Sequence, residues 1–200
     1  AAAGTDLAAL KARHIAHLSA WQSPRYAMRY SRLIAKAELR GEAGMVEAVM
    51  RAAHQVMSYK DEYEVARLLS APEFLAGIAR DFEGAPRLAF HLAPPFLPGR
   101  DARTGRPAKR RFGPWLLPAL RLLARMNPLR GTPLDPFGLS AERRAERRLR
   151  ETVLGRLEAL LDRGAPAAEV IATAQSALAV RGFGPVKAAR MESCFKALDG

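Results

Sequence analysis

The chain has 200 residues, 49% of them hydrophobic, enough for one helical core or for a larger and a smaller unit, and too apolar for a disordered chain. Its formal net charge of +12 admits acidic partners: nucleic acid, phosphate-bearing cofactors, an acidic protein or an anionic surface. The lone cysteine, Cys194, excludes an intramolecular disulfide and cannot provide the four thiolates that an iron-sulfur cluster commonly takes.

No apolar run approaches the roughly 20 residues of a membrane span, and no basic stretch precedes a short apolar one as in a secretory leader. A cytoplasmic protein that does not enter a membrane is the resulting expectation. The opening Ala1 to Gly4 lacks an initiator Met and reads as the start of a fragment of a longer polypeptide.

Leu7, Leu10, Leu18 and Trp21 fall on one helical face, and Ser23 with Pro24 supplies the N-cap and first turn of a second helix striped by Tyr26, Tyr30, Leu33, Ile34 and Ala37. Gly41 and Gly44 are expected to end it before a third helix carrying Val46, Val49, Met50, Ala53 and Met57. Ser70 is predicted to cap a short helix from Pro72 to Phe82, and Gly84 and Pro86 close this first part. Leu88, Phe90 and Leu92 then alternate with Ala89 and His91, which predicts a short strand whose partner is Lys109 to Phe112. A Gly-, Pro- and Arg-rich loop from Pro98 to Pro107 separates the two. Trp115 to Met126 reads as helix and Asn127 to Leu139, with three prolines and two glycines, as an irregular connector. Ser140 is predicted to cap a long helix reaching about Arg163, with Leu149, Val153, Leu157, Leu160 and Leu161 inward. Helices over Ala167 to Val180 and Pro185 to Leu198 finish the chain. The expected fold is mainly α: a helical bundle with a short two-stranded β ribbon in the middle. It is read as one domain over 1–200, with an N-terminal helical part (1–86), a ribbon, helix and irregular basic segment (87–139) and C-terminal helices (140–200).

Chemistry-bearing residues are few. His14 and His17, three apart on one helix, could offer two metal ligands, but no third is evident. His14 also lies in line with the apolar face, so packed or half-buried imidazoles are preferred and no metal is assigned. His54 and His91 have no evident acidic or thiol companion. The run Tyr59 to Glu64 concentrates carboxylates and phenols, yet Asp61 and Glu62 point about 100° apart on a helix, while Lys60 and Glu64 suit an ordinary surface ion pair. No Gly-rich phosphate loop, nucleophile elbow or Gly-Asp-Gly thiamine motif occurs. No catalytic, cofactor-binding or metal residue is assigned.

The positive charge is concentrated. From Arg100 to Arg150 there are 14 Lys and Arg against 4 Asp and Glu, a net +10. Arg143, Arg144, Arg147, Arg148 and Arg150 could track a phosphate backbone, but Glu142, Glu146 and Glu151 are interleaved at pairing distance, which favours a solvated helix face. Lys109, Arg110 and Arg111 have no acidic neighbour within five residues and form the candidate docking patch for a partner. A competing motif is Arg181 to Ala189, which resembles the hairpin of helix-hairpin-helix DNA-binding modules. Gly182 and Gly184 would present backbone amides to a phosphate, with Lys187 and Arg190 adding charge.

Five stretches resemble the C-terminal domain of the fused indolepyruvate ferredoxin oxidoreductases, a family of 2-oxoacid oxidoreductases. They are YKDEYEVARLL (Tyr59 to Leu69), RLAFHLAPP (Arg87 to Pro95), KRRFGPWLLPALRLLA (Lys109 to Ala124), RGTPLDPFGLSAERR (Arg130 to Arg144) and VRGFGPVK (Val180 to Lys187). Together they touch most of the chain from Tyr59 onward, whereas the first 58 residues resemble the family only in helical pattern. The resemblance implies a parent, expected to be homo-oligomeric, that oxidatively decarboxylates arylpyruvates to arylacetyl-CoA with thiamine diphosphate and iron-sulfur clusters, passing electrons to ferredoxin. None of the family's cofactor motifs falls within this chain. The resemblance therefore implies a non-catalytic accessory domain that packs on other domains of the same polypeptide, with Lys109, Arg110 and Arg111 facing acidic ferredoxin or the phosphates of coenzyme A. The Gly182 to Lys187 hairpin belongs to the matched set, which leaves a nucleic-acid-binding module as the rival reading.

Overall fold

Helix starts follow local capping chemistry. In the computed structural model, which describes residues 6–82, 84, 87–93, 108–182 and 184–199, Asp6 caps α1 (Leu7–Trp21) by accepting the Ala9 amide at 3.0 Å. Ser23 caps α2 (Pro24–Glu38) by accepting that of Tyr26 at 3.1 Å. Pro24 sits in the first turn, where its missing N-H would have had no helical partner. Gly41, at φ 76°, supplies the left-handed turn after α2. Gly44 was expected in that break too, but Glu42 already provides the extended cap residue, so Gly44 lies in the first turn of α3 (Ala43–Met57).

The chain forms two compact units, residues 1–59 with 128–200 and residues 60–127.

In the larger unit α3 is the central element. It touches α1, α2, α7 (Ala141–Asp162) and α8 (Ala167–Leu178), which is why eight of its residues, including Met45, Val49, Met50, Ala53 and Met57, are buried. Its most extensive contact is with α8. Ala52 and Ala53 on α3, with Ala174 and Ala177 on α8, are fully buried and leave room for close backbone approach. Gln55 adds a polar tie at the end of α8, its amide donating to the carbonyls of Ala177 and Val180 at 3.0 and 3.1 Å. Ser140 caps α7 as expected, accepting the Arg143 amide at 3.2 Å. α9 (Pro185–Asp199) packs on α7 and α8.

The smaller unit contains α4 (Glu62–Ser70), α5 (Pro72–Asp81), β1 (Phe90–Leu92), β2 (Arg110–Phe112), a 3-10 turn at Pro114–Leu116 and α6 (Leu117–Arg125). The strands pair antiparallel, with Phe90 opposite Phe112, His91 opposite Arg111 and Leu92 opposite Arg110. This is the ribbon the alternation predicts, although the Pro98 to Pro107 loop lies outside the described residues. Ser70 does not cap α5 as expected. It is the last residue of α4, its hydroxyl donating to the Ala66 carbonyl at 2.7 Å, and the residue before Pro72, Ala71, is extended and takes the cap position without a side-chain bond. α4 packs on α6 around Ala66, Phe90 and Leu120. Among the described residues, no helix is long and apolar enough to cross a membrane.

Among the described residues, the core of three buried side chains is small beside that of the larger unit, and α5 buries none of its residues. Amide exchange is expected to be faster across α4 and α6 than across α3, α7 and α8, because local opening there exposes little apolar surface. Native-state hydrogen exchange by mass spectrometry measures this, and equal protection in both sets would contradict it.

Candidate functional site

The irregular stretch before α7 is organised by one carboxylate. Asp135, buried, accepts the Gly131 amide through Oδ2 at 2.8 Å and the Phe137 amide through Oδ1 at 3.1 Å. Gly138 has to lack a side chain here, since a Cβ would lie 2.5 Å from Asp135 Oδ2. From α7, Arg147 donates to the Gly138 carbonyl at 2.7 Å and Arg144 to that of Leu139, so the connector is clamped from both sides. Arg130, only 5% exposed, lays its guanidinium 3.6 Å above the ring of fully buried Trp21 and donates to the Trp21 carbonyl. The Trp21 indole N-H donates in turn to the Tyr59 carbonyl at 3.2 Å, and the rings of Tyr26 and Tyr59 flank it at 5.2 and 5.1 Å.

Arg29 from α2, Arg130, and Arg147 and Arg150 from α7 line one cavity of about 240 Å³ with Tyr26 and Tyr59. Sequence reading missed this assembly because its members are brought together across more than a hundred positions. At its margin Arg29 and Arg150 both donate to Glu151, whose carboxyl is held down to about 2, chiefly by the Arg29 hydrogen bond. The Tyr26 hydroxyl donates to the Met57 carbonyl at 2.8 Å.

The glutamates interleaved along α7 do not simply neutralise its own arginines, as the spacing suggests. Glu151 reaches Arg29 on α2, and buried Glu146 takes Lys187 on α9. Lys187, a candidate phosphate contact of the hairpin reading, is thus tied to a carboxylate 5% exposed. Gly182 and Gly184 adopt positive φ of 101° and 58°. Lys109, Arg110 and Arg111 are exposed on and beside β2. In the carboxylate run, Asp61 caps α4 by accepting the Glu64 amide at 2.9 Å, and Glu64 receives two hydrogen bonds from Arg67 at 2.8 and 2.7 Å. On the smaller unit Val65, Leu68, Phe74, Ile78, Leu88 and Leu92 line an apolar groove of about 370 Å³.

A family of unknown function, DUF6537, matches residues 7–199, the whole helical length of the chain. The chain belongs to the DUF6537 family. No curated protein and no solved structure matches it.

In this DUF6537 chain three histidines separated in sequence meet inside the larger unit. His14 and His54 stack with ring centroids 3.9 Å apart, His17 Nδ1 is hydrogen bonded to His54 Nε2 at 2.8 Å, and His14 Nδ1 to the Tyr30 hydroxyl at 2.8 Å. The half-buried reading of His14 is correct, while His54 acquires partners from α1 that its own helix does not reveal. Burial lowers His14 to about 4, with Arg51 and Arg13 adding to the effect, and burial with His14 and His17 nearby lowers His54 to about 3. Among the described residues no group of three or more His, Cys, Asp or Glu is placed to hold a metal ion.

Two outcomes follow for the DUF6537 fold. Gly138→Ala should destabilise it by about 1–3 kcal/mol in urea unfolding, and by less in an Asp135→Ala background, where the obstructing carboxylate is gone. Equal costs in both backgrounds would refute the steric account. The second concerns pH. The unfolded chain protonates its histidines below about 6.5, whereas the folded chain resists until about 4 and about 3 at His14 and His54. Stability is therefore complete above about pH 6.5 and declines as pH falls toward 3. The urea midpoint should drop from pH 7 to pH 4.5, and a His14→Gln/His54→Gln variant should show a flatter profile; an unchanged slope would contradict this.

Proposed function

We propose that this chain is a non-catalytic accessory domain of an indolepyruvate ferredoxin oxidoreductase, packing on other domains of the same polypeptide and offering a basic docking strand to an acidic partner. The observation that carries the docking reading is the row Lys109, Arg110 and Arg111, exposed at the ribbon of the smaller unit. All three are exposed on or beside β2, where an acidic partner can reach them. The link to the oxidoreductase rests on the resembling strings. The least regular of them, Arg130 to Arg144, coincides with the segment that Asp135, Gly138 and the α7 arginines build. In this reading thiamine diphosphate, the iron-sulfur clusters and coenzyme A act elsewhere in the polypeptide, and the partner is acidic ferredoxin or the phosphates of coenzyme A. The hairpin reading is less favoured, because its lysine is held by Glu146.

The test is charge reversal of Lys109, Arg110 and Arg111 to Glu in the full-length oxidoreductase. Steered association gains about 10- to 1,000-fold from complementary charge at low salt, so ferredoxin reduction should lose at least tenfold in kcat/KM and most of its salt dependence. If coenzyme A is the partner, its KM rises instead. Unchanged turnover, salt dependence and coenzyme A KM would overturn the docking reading.

A further inference from the structure

α6 and the 3-10 turn before it spend one face on the core of the smaller unit and leave an apolar stripe on the other. Leu120 is buried, and Leu117, Leu123 and Ala124 pack against its cluster. Trp115, Pro118 and Leu122, at successive spacings of three and four, fall on the opposite, exposed side. Trp115 is 69% exposed and Leu122 63%. The indole is nevertheless held in place. Its ring meets that of Phe112 edge-on at 6.0 Å, and it lies so close over Gly113 that a Cβ there would stand 3.1 Å from its Cδ1. Arg121 and Arg125, one helical turn apart and both exposed, flank the stripe, and Lys109 to Arg111 lead into it through Phe112. The sequence holds no Asp or Glu between Asp101 and Asp135, so the segment that builds this face supplies no carboxylate of its own.

We infer that this face is a docking surface for an acidic protein whose carboxylates surround a small apolar patch. The inference rests on the reading of an acidic partner and decides between the two partners that reading allows. A phosphate group engages cations alone, whereas a stripe that runs for two helical turns needs apolar cover of similar length, which a protein surface supplies. Trp and Arg are the side chains that dominate protein interfaces, while Lys is depleted there. Four of the five cations around the stripe are arginines, whose planar forks pair with carboxylates through two parallel N-H bonds. Because Phe112 and Gly113 already hold Trp115, little side-chain freedom is lost when a partner covers it. A bilayer is a poorer fit. An interfacial helix sinks its apolar face about 5–10 Å into the headgroup region, and the main apolar face of α6 is occupied by its own unit.

The test uses the full-length oxidoreductase with ferredoxin as the acidic protein probe. Trp115→Ala should lower kcat/KM for ferredoxin by about tenfold or more, and Leu122→Ala should lower it in the same direction. Both losses should persist at high salt, because covering apolar surface is not screened. The double variant Arg121→Glu/Arg125→Glu should lose activity toward ferredoxin at low salt and lose progressively less as salt rises. The KM for coenzyme A should not change in any of them. Leu39→Ala, more exposed still but on the larger unit, should stay within about twofold of the unaltered enzyme. Leu122→Ala decides the matter if Trp115→Ala fails to fold. Unchanged ferredoxin kinetics in both apolar variants would overturn the inference, and a lowered urea midpoint in that case assigns the face to another domain of the same polypeptide. A raised coenzyme A KM, or Trp115-dependent sedimentation with phosphatidylserine vesicles, would overturn it too. If reversal of Lys109 to Arg111 weakens ferredoxin reduction and the α6 variants do not, this inference fails and the docking strand stands. The opposite pattern removes the strand and keeps the α6 face.

Discussion

The guanidinium of Arg130 stacked on the indole of Trp21 joins three regions that the sequence keeps far apart. Trp21 ends α1 and is fully buried, its ring N-H is bound to the carbonyl of Tyr59 just beyond α3, and Arg130 arrives from the connector that leads into α7. Burying a guanidinium is unfavourable unless its charge and its donors are compensated. Here the indole face supplies a cation-π contact and the Trp21 carbonyl accepts a hydrogen bond. Lysine would not serve, because an ammonium cannot stack flat on the ring while donating sideways. The position of the connector, and through it the start of α7, therefore hangs on a planar cation at residue 130.

The same logic explains why the first turns of α7 tolerate so many arginines. Positive charge at a helix N-terminus opposes the backbone dipole, at a cost of about 0.3–1 kcal/mol for each exposed charge. A hydrogen bond from a charged donor contributes about 1.5–3 kcal/mol, so the bonds from Arg144 and Arg147 to the carbonyls of Leu139 and Gly138 outweigh the dipole term. Arg148 lies 4.8 Å over the Phe195 ring and Arg150 reaches Tyr26. What composition shows as a basic run is thus in large part a set of struts, each aimed at a different neighbour. The glutamates among them behave likewise, Glu146 bracing α9 and Glu151 bracing α2.

Local chemistry was legible in the sequence and remote pairing was not. Ser23 and Ser140 announce their helices because a cap acts within three residues, and the ribbon shows in the alternation around Phe90. Ser70 misled because a serine hydroxyl can equally bond back to the carbonyl four residues before it, and here it does. The cavity left no local trace, and of the histidine cluster only the spacing of His14 and His17 was visible. Arg29 and Glu151 are 122 positions apart and His17 and His54 are 37 apart, so no spacing rule connects them. One signal was present without being decodable: Gly138, three residues after Asp135 in a proline-rich stretch, marks a close approach whose second party only the fold identifies.

The larger unit also separates its fixed charges from its titratable ones. A guanidinium stays charged throughout the neutral range, and the four that line the cavity are joined there by phenols rather than imidazoles. The imidazoles sit instead among α1, α2 and α3, where burial and the neighbouring Arg51 and Arg13 keep His14 uncharged, and burial does the same for His54. Glu151, held down to about 2, is ionised over the same interval. Through the neutral range the charge of the arginines around the cavity and of Glu151 is therefore constant.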